Sequence, residues 1–342
     1  MSLGEFVMIR IAINGFGRIG RNFLRALCQD KQVLSYINVV AINCGPARID
    51  MVAHMFKYDT LMGTYAGHVE LKDTILCVDG HDIQLLAEPT IEALPWRELH
   101  IDWVVECSGR ATHRQEAQKH RDAGAKRVLI SAPAHDEDVA IIPGVNDDMY
   151  DPTKHHIVSL GSCTTNALLP TLKVMNDHFG IDYGFMTTVH AYTNSQVLLD
   201  VEKDDPRRSR AAALNIIPTT TGASKMIEKI IPELGQRFSG LSLRVPVAKV
   251  SFLDVTCAVR KTVSSEALNT VFQREADQGP LHNILGITYE SLVSSDFSGD
   301  ARSVIIDAQL TSVQSNCVKV CAWYDNEWAY SVRLKDFLYM HG

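Results

Sequence analysis

The chain has eight cysteines, yet no two of them are spaced as C-x-x-C. Zinc ribbons and thioredoxin-type redox pairs need that spacing, so no metal site is expected. No apolar run approaches the roughly 18 to 20 residues of a membrane-spanning helix. No charged-then-apolar signal segment opens the chain either, and a membrane partner is not expected. Positive charge is short as well: 33 Lys and Arg face 40 Asp and Glu, for a net charge of −7. That balance leaves no basic stripe for a nucleic-acid backbone. Internal repeats and low-complexity segments are lacking too. Scattered cysteines without a secretion signal point to a reducing, cytoplasmic setting.

What remains is the composition of an ordinary globular protein, 46% hydrophobic and 21% charged over 342 residues. That length exceeds one modest core and suits two domains. Met1–Val7 reads as a short leader before the first strand. Apolar, β-branched runs then alternate with helical patterns. Met8–Asn14, Ile37–Asn43, Trp103–Glu106, Arg127–Ser131 and His156–Ser159 predict strands, and Ile19–Gln29, Asp50–Tyr58 and Arg114–Ala123 predict helices. An antiparallel insertion is expected around His68–Leu86, turning at Asp79-Gly80. Strand, crossover helix and strand repeated this way predict an α/β fold with a doubly wound parallel sheet.

The second half reads differently. After a helix at Thr164–His178 and a strand at Gly184–His190, the segment Asn194–Thr221 is long and without clear periodicity. Such a loop inside a compact domain is usually functional. Leu241–Val245, Ala248–Arg260, Ser303–Leu310 and Cys317–Tyr324 predict a mostly antiparallel sheet in an α+β domain. Glu327–Tyr339 predicts an amphipathic closing helix.

Gly15-Phe16-Gly17-Arg18-Ile19-Gly20 is a G-x-G-x-x-G that follows a strand and opens a helix. Its glycines permit a tight turn and close backbone approach to a pyrophosphate seated on the helix N-terminus. Alone, such a stretch can be only a turn; in this context it predicts dinucleotide binding. The motif also asks for an acidic residue about 20 positions on, to bind the ribose hydroxyls. Cys44 stands there instead, and Arg48 lies close enough in sequence to meet a 2′-phosphate, although a surface arginine is an equal reading. The choice between NAD and NADP stays open on these residues.

Ser162-Cys163-Thr164-Thr165-Asn166 sits where a strand gives way to a helix. The positive end of the helix dipole would lower the Cys163 thiol and favour thiolate, and the leading amides could hold an anion. Thr187-Thr188-Val189-His190 is a strand that ends on a histidine able to stabilise that thiolate and shuttle protons. Against this stand the ordinary readings, a packed cysteine and a satisfied polar residue at a strand end.

INGFGRIGRN, SCTTNALLP, TTVHAYTNSQ, RAAALNIIPTTTGA, LRVP and WYDNEWAYS occur in this order over nearly the whole chain. In them the sequence resembles the phosphorylating glyceraldehyde-3-phosphate dehydrogenases. The resemblance implies a Rossmann dinucleotide-binding domain over 1–162 and 326–342, a catalytic domain over 163–325, and a cytosolic homotetramer. It implies Cys163 as nucleophile and His190 as base. It places Gly15, Gly17, Arg18, Ile19, Gly20, Cys44, Ser131 and Asn326 at the NAD or NADP site. It assigns Thr193, Arg208 and Arg244 to the phosphate of glyceraldehyde 3-phosphate, and Ser162, Thr164, Thr221 and Gly222 to the attacking inorganic phosphate. Guanidinium forks and hydroxyls suit phosphate oxygens. Four positions depart from the family pattern: Cys44 for an acid, Pro89 for an arginine, Ser195 for an aspartate and Ala167 for a second cysteine. Erythrose-4-phosphate dehydrogenase is the nearest rival, disfavoured by the retained AYTN and TTTGA. A catalytically idle redox sensor would need none of Cys163, His190, Arg208 and Arg244 together.

Overall fold

The computed structural model describes residues 8–342, and the leader Met1–Val7 lies outside them. Two units emerge. One holds the chain up to Ile141 with Asp148–Gly161 and Ser331–Gly342; the other holds Ile142–Asp147 and Ser162–Tyr330. The division falls at Gly161/Ser162 and Tyr330/Ser331, against the expected 162/163 and 325/326.

In the first unit nine strands make one sheet: β1 (Ile9–Asn14), β2 (Ile37–Asn43), β3 (Val69–Lys72), β4 (Ile75–Val78), β5 (His81–Leu86), β6 (Trp103–Glu106), β7 (Arg127–Ile130), β8 (Val139–Ala140) and β9 (Ile157–Ser159). Their order is β3-β4-β5-β2-β1-β6-β7-β9-β8. Pairing is parallel from β5 across to β8, as the strand–helix alternation predicts. Only the β3–β4–β5 meander is antiparallel, the expected insertion, with Asp79 and Gly80 both at positive φ in its turn. Ile11 to Ile13, Val104, Val105, Val128 and Leu129 are wholly buried, as strands covered on both faces must be. Connections leave in opposite directions on either side of β1 and β6. A crevice opens past the carboxyl ends of the strands at such a switch point.

The second unit carries β10 (Ile181–Ala191), β11 (Ile217–Thr219), β12 (Phe238–Val245), β13 (Ser251–Val259), β14 (Leu285–Thr288), β15 (Val304–Asp307), β16 (Ser312–Gln314) and β17 (Cys317–Tyr324). The sheet runs β11-β12-β10-β13-β17-β15-β14, with β16 on β17. It is mostly antiparallel, with parallel pairs at β10–β12 and β14–β15. Along β10 the even-numbered residues from Gly184 to His190 face inward, while Tyr183 and Phe185 are exposed. The segment Asn194–Thr221 is an ordered excursion rather than a slack loop. Val197 bridges Ala211 across it, and the Asp200 carboxylate takes the Ala211 amide at 2.9 Å and Arg210 Nε at 2.6 Å.

The closing helix departs from expectation. It spans Trp328–His341 and is buried at every residue from Trp328 to Leu334. Lys335 and Asp336 are part-buried and Tyr339 and Met340 exposed, so burial falls off along the helix toward its end rather than from one face to the other. Arg333, 3% exposed, is carried inside with Asp336 at 2.5 Å.

Candidate active site

Past the strand ends of the first unit lies a groove of about 310 Å³. Its walls come from four loops: Asn14–Gly17 after β1, Asn43–Pro46 after β2, Glu88 and Pro89 after β5, and Cys107, Ser108 and Arg110 after β6. The three glycines of the motif divide the work. Gly15, at φ +93°, backs onto the next loop so closely that a Cβ would stand 2.5 Å from Ser108 N. At Gly20 a Cβ would stand 2.3 Å from the Gly15 carbonyl, so the helix packs hard on the turn. Nothing lies within 4 Å of a Cβ at Gly17, whose side opens to the groove. Gly17 is also the N-cap of the helix Arg18–Cys28, with no side-chain cap and no acid in the first turn. That is a place for an anion on the helix dipole, formed by Arg18, Ile19 and Gly20. The Arg18 side chain itself turns to the buried carboxylate of Asp59. A dinucleotide therefore fits the residues present.

Cys44 lines the groove, its amide bonded to the Leu86 carbonyl at 2.9 Å. Burial pushes its thiol up to about 11, so it is neutral at pH 7. Arg48 is exposed and paired with Asp50 two residues on. It is not among the residues that wall the groove. Ser131 follows β7, its amide on the Glu106 carbonyl at 3.0 Å and its hydroxyl on the Cys107 thiol.

In the second unit Cys163 is the first residue of the helix Cys163–Phe179. Ser162 caps that helix: its Oγ takes the Thr165 amide at 3.2 Å, and Thr165 Oγ1 takes the Ser162 amide at 2.7 Å. This reciprocal box fixes the chain's entry into the first turn. Cys163 Sγ lies 3.5 Å from Nε2 of His190, at the end of β10. The parallel register of β10 on β12 sets His190 directly beside Arg244. Nδ1 of His190 is 2.6 Å from the Ala191 carbonyl, while Arg244 Nη1 is 2.9 Å from Nδ1 and 3.1 Å from that same carbonyl. A carbonyl can only accept and the Ala191 oxygen is the nearer contact of Nδ1, so Nδ1 carries its proton to that oxygen and Arg244 donates to the same acceptor. Nε2 is then the lone pair that faces the sulfur.

Charges follow from burial. Burial pushes the Cys163 thiol up, and Arg244, the Thr164 hydroxyl and the first helical amides only partly offset it. His190 is held down to about 4, first by burial and then by Arg244. Burial thus opposes the thiolate that the helix end favours, and opposes imidazolium at its neighbour. Proton transfer from Sγ to Nε2 creates two opposite charges at contact, each relieving the other's burial.

Arg208 is part-buried, with Asp205 at 3.7 Å, and its charge is felt at Arg244. Two guanidiniums that repel each other make a place for a divalent anion. Thr193 Oγ1 bonds Ser195 Oγ at 2.9 Å, so the serine found in place of aspartate engages the threonine without adding charge. Thr221 and Gly222 lead into a separate helix, Ala223–Ile230, and their bonds are local. Ala167, where a second cysteine is common, is wholly buried. Among the described residues no group of three His, Cys, Asp or Glu could hold a metal ion.

Two residues escape the sequence reading. Tyr324, on β17, bonds Thr188 Oγ1 at 2.7 Å and Thr164 Oγ1 at 3.0 Å, tying β10 to the helix that begins at Cys163. Its ring stands edge-on to His190 with centroids 6.0 Å apart. Ser251, on β13, accepts the Ala191 amide at 3.1 Å and donates to Asn326 Oδ1 at 3.4 Å. The signal was a serine in the inward register that Leu253, Val255 and Cys257 otherwise fill.

The depressed histidine has a pH consequence. An unfolded histidine titrates near 6.5, whereas folded His190 does so at about 4. The unfolded chain therefore binds a proton that the folded one refuses, and stability is lost as pH falls from about 6.5 to about 4. Thermal denaturation of wild type and His190→Asn should show the wild type losing about 2 kcal/mol more between about pH 7 and pH 5. Parallel curves would mean that His190 protonates in place.

Comparison with known proteins was made against this geometry. Residues 9–114 match the family model described as glyceraldehyde 3-phosphate dehydrogenase, NAD binding domain. Residues 162–326 match the C-terminal domain of the same family. A glyceraldehyde-3-phosphate dehydrogenase of Streptomyces coelicolor is 47% identical over 329 residues, covering 96% of this chain and 97% of the relative. That of Kitasatospora aureofaciens is 49% identical over 333 residues, covering 97% and 98%. That of Geobacillus stearothermophilus is 46% identical over 329 residues, covering 96% of each. The chain belongs to the glyceraldehyde 3-phosphate dehydrogenase family.

Proposed function

We propose that this protein oxidises glyceraldehyde 3-phosphate with inorganic phosphate to 1,3-bisphosphoglycerate, using NAD, through a thioester on Cys163. The observation that carries the reading is the approach of Cys163 Sγ to His190 Nε2 at 3.5 Å beside Arg244. Full-length relatives bearing the glyceraldehyde name support it over the erythrose-4-phosphate alternative.

His190 Nε2 takes the thiol proton as Sγ adds to the aldehyde carbon. The imidazolium so formed then donates to the hemithioacetal oxygen, beside amides that lead the helix. NAD, when bound, supplies the acceptor for the hydride that this carbon loses. His190 Nε2 takes the proton back from that oxygen as the carbonyl of the thioester forms; inorganic phosphate then attacks that carbonyl and frees the thiolate, which recovers the proton from His190. Arg208, Arg244 and Thr193 hold the substrate phosphate, and Ser162, Thr164, Thr221 and Gly222 the attacking one. Asn326 turns the nicotinamide carboxamide: its Oδ1 is engaged by Ser251, which leaves Nδ2 to donate. The first unit binds the dinucleotide and the second carries the chemistry.

NAD rather than NADP is supported by the match of residues 9–114 to the family's NAD binding domain. Position 44 carries a neutral thiol rather than a cation, Glu88 and Arg110 of the wall are opposite in charge, and Arg48 is paired with Asp50. A homotetramer is supported by one open face of the second sheet. Tyr183, Phe185 and Leu241 are exposed on it, and Leu198, Leu199, Leu214 and Ile216 are exposed on nearby chain segments. Apolar exposure of that extent marks a protein contact. The cytoplasm is the compartment that suits eight free cysteines, and no helix among the described residues is long and apolar enough to cross a membrane.

Three measurements bear on these statements. Cys163→Ser should lower turnover by at least about 10⁴-fold and abolish acyl-enzyme trapping while NAD still binds; substantial residual activity would sink the assignment. Steady-state rates on one preparation should give a kcat/KM for NAD at least about tenfold that for NADP, and the reverse order would overturn the preference for NAD. Phe185→Glu should lower the solution mass from four chains toward fewer in sedimentation analysis, and an unchanged tetramer would place the contact elsewhere.

A further inference from the structure

Behind the groove of the first unit runs a chain of buried polar side chains that the reaction does not use. Glu106, 1% exposed, ends a strand otherwise made of Trp103, Val104 and Val105. A carboxylate so placed is costly unless donors surround it. Three do: His120 Nε2 at 3.0 Å and Asn14 Nδ2 at 2.6 Å on Oε2, and the Ser108 amide at 2.6 Å on Oε1. Burial works against the charge, yet the bonds from His120, Ser108 and Asn14 outweigh it and hold the carboxyl below its ordinary value.

Direction is set at the far end. The indole of Trp96 reaches His120 Nδ1 at 2.9 Å. An indole N–H can only donate, so Nδ1 holds the lone pair, and Nε2 carries the proton that goes to Glu106. Trp96 and His120 are both wholly buried. At the near end Asn14 Oδ1 accepts Asn43 Nδ2 at 2.8 Å. Asn43 Oδ1 in turn accepts the amides of Gly45 at 3.2 Å and Glu88 at 3.0 Å. Donor meets acceptor at every step from the indole to the loop amides. All four loops that wall the groove are gripped by this one network, through Asn14, Asn43, Glu88 and Ser108. The Ser108 amide that Glu106 holds is also the atom against which Gly15 closes.

We propose that Trp96, His120 and Glu106, none of which lines the groove, are positioning residues for the dinucleotide, fixing the spacing of the four loops that bind it. This rests on the reading of the groove as the NAD site.

Calorimetric titration of the full-length protein with NAD and with ADP-ribose tests it, beside steady-state kinetics. Wild type should bind both; failure there would fall on the NAD reading itself. Glu106→Gln puts an amide donor among donors and should weaken both ligands about tenfold or more, and Trp96→Phe about fivefold. At saturating NAD, kcat should stay within about twofold of wild type, since the reacting residues lie elsewhere. Trp103→Phe is the control: it is equally buried, on the strand that carries Glu106, and its indole N–H has no partner. Its affinity for NAD should stay within about twofold of wild type. Should Trp96→Phe and the control bind NAD equally well, the proposal is wrong. It is equally wrong if affinity in all variants merely follows thermal stability. If Glu106→Gln does not fold, Trp96→Phe against the control decides alone.

Discussion

The parallel register of β10 on β12 aligns Thr188 with Ser242 and His190 with Arg244. Both strands present these residues to the enclosed face of the sheet, where Thr188, Ser242 and His190 are buried. A slip of one residue would turn the even-numbered set outward and bring Tyr183 and Phe185 into the interior. It would also separate the histidine from the arginine that shares its acceptor. Tyr324 extends the constraint, because its hydroxyl bonds one threonine on β10 and another on the helix of Cys163. Sulfur, imidazole and guanidinium are therefore placed by strand pairing and one helix cap, without dependence on a flexible loop.

Enclosure and charge oppose each other at this centre. A helix N-terminus and a nearby guanidinium favour thiolate. Burial disfavours it by more, and disfavours imidazolium as well. Separately each ion is unfavourable, whereas together they meet at contact distance. The two groups form a coupled pair, in which proton transfer from Sγ to Nε2 makes both charges at once. Arg244 has a double effect in this. It favours the anion of Cys163, and it discourages a resting proton on His190, which keeps Nε2 available as a base.

Much of this was legible in the sequence, where the signal was local. Strand–glycine–helix spacing marked the turn that walls the groove, and strand–Ser-Cys–helix marked the cysteine that faces His190. Quantities set by distant partners were not. His190 and Arg244 are 54 positions apart, and only the pairing of their strands makes them neighbours. Helix-end reasoning predicted the effect of the dipole on Cys163 but could not weigh burial, which a one-dimensional pattern does not record. For Arg48 the partner was local: Asp50, two residues on, pairs with it at the surface. In the closing helix, periodicity suggested one polar face, but Arg333 is carried inside by Asp336 one turn away.

Glu106 and Cys44 together show how the groove distributes its charge. The position after β2 that commonly holds an acid carries a neutral thiol here, so no carboxylate there fixes the loop by bonding to it. Shape is supplied from behind instead, by Asn43 reaching the amides of Gly45 and Glu88. The buried charge that orders Asn14, and through it Asn43, sits on Glu106, screened from solvent and from ligand. A negative charge so placed can organise the loops because its oxygens are held by His120, Asn14 and Ser108. Loop geometry is thereby set without a charge at position 44.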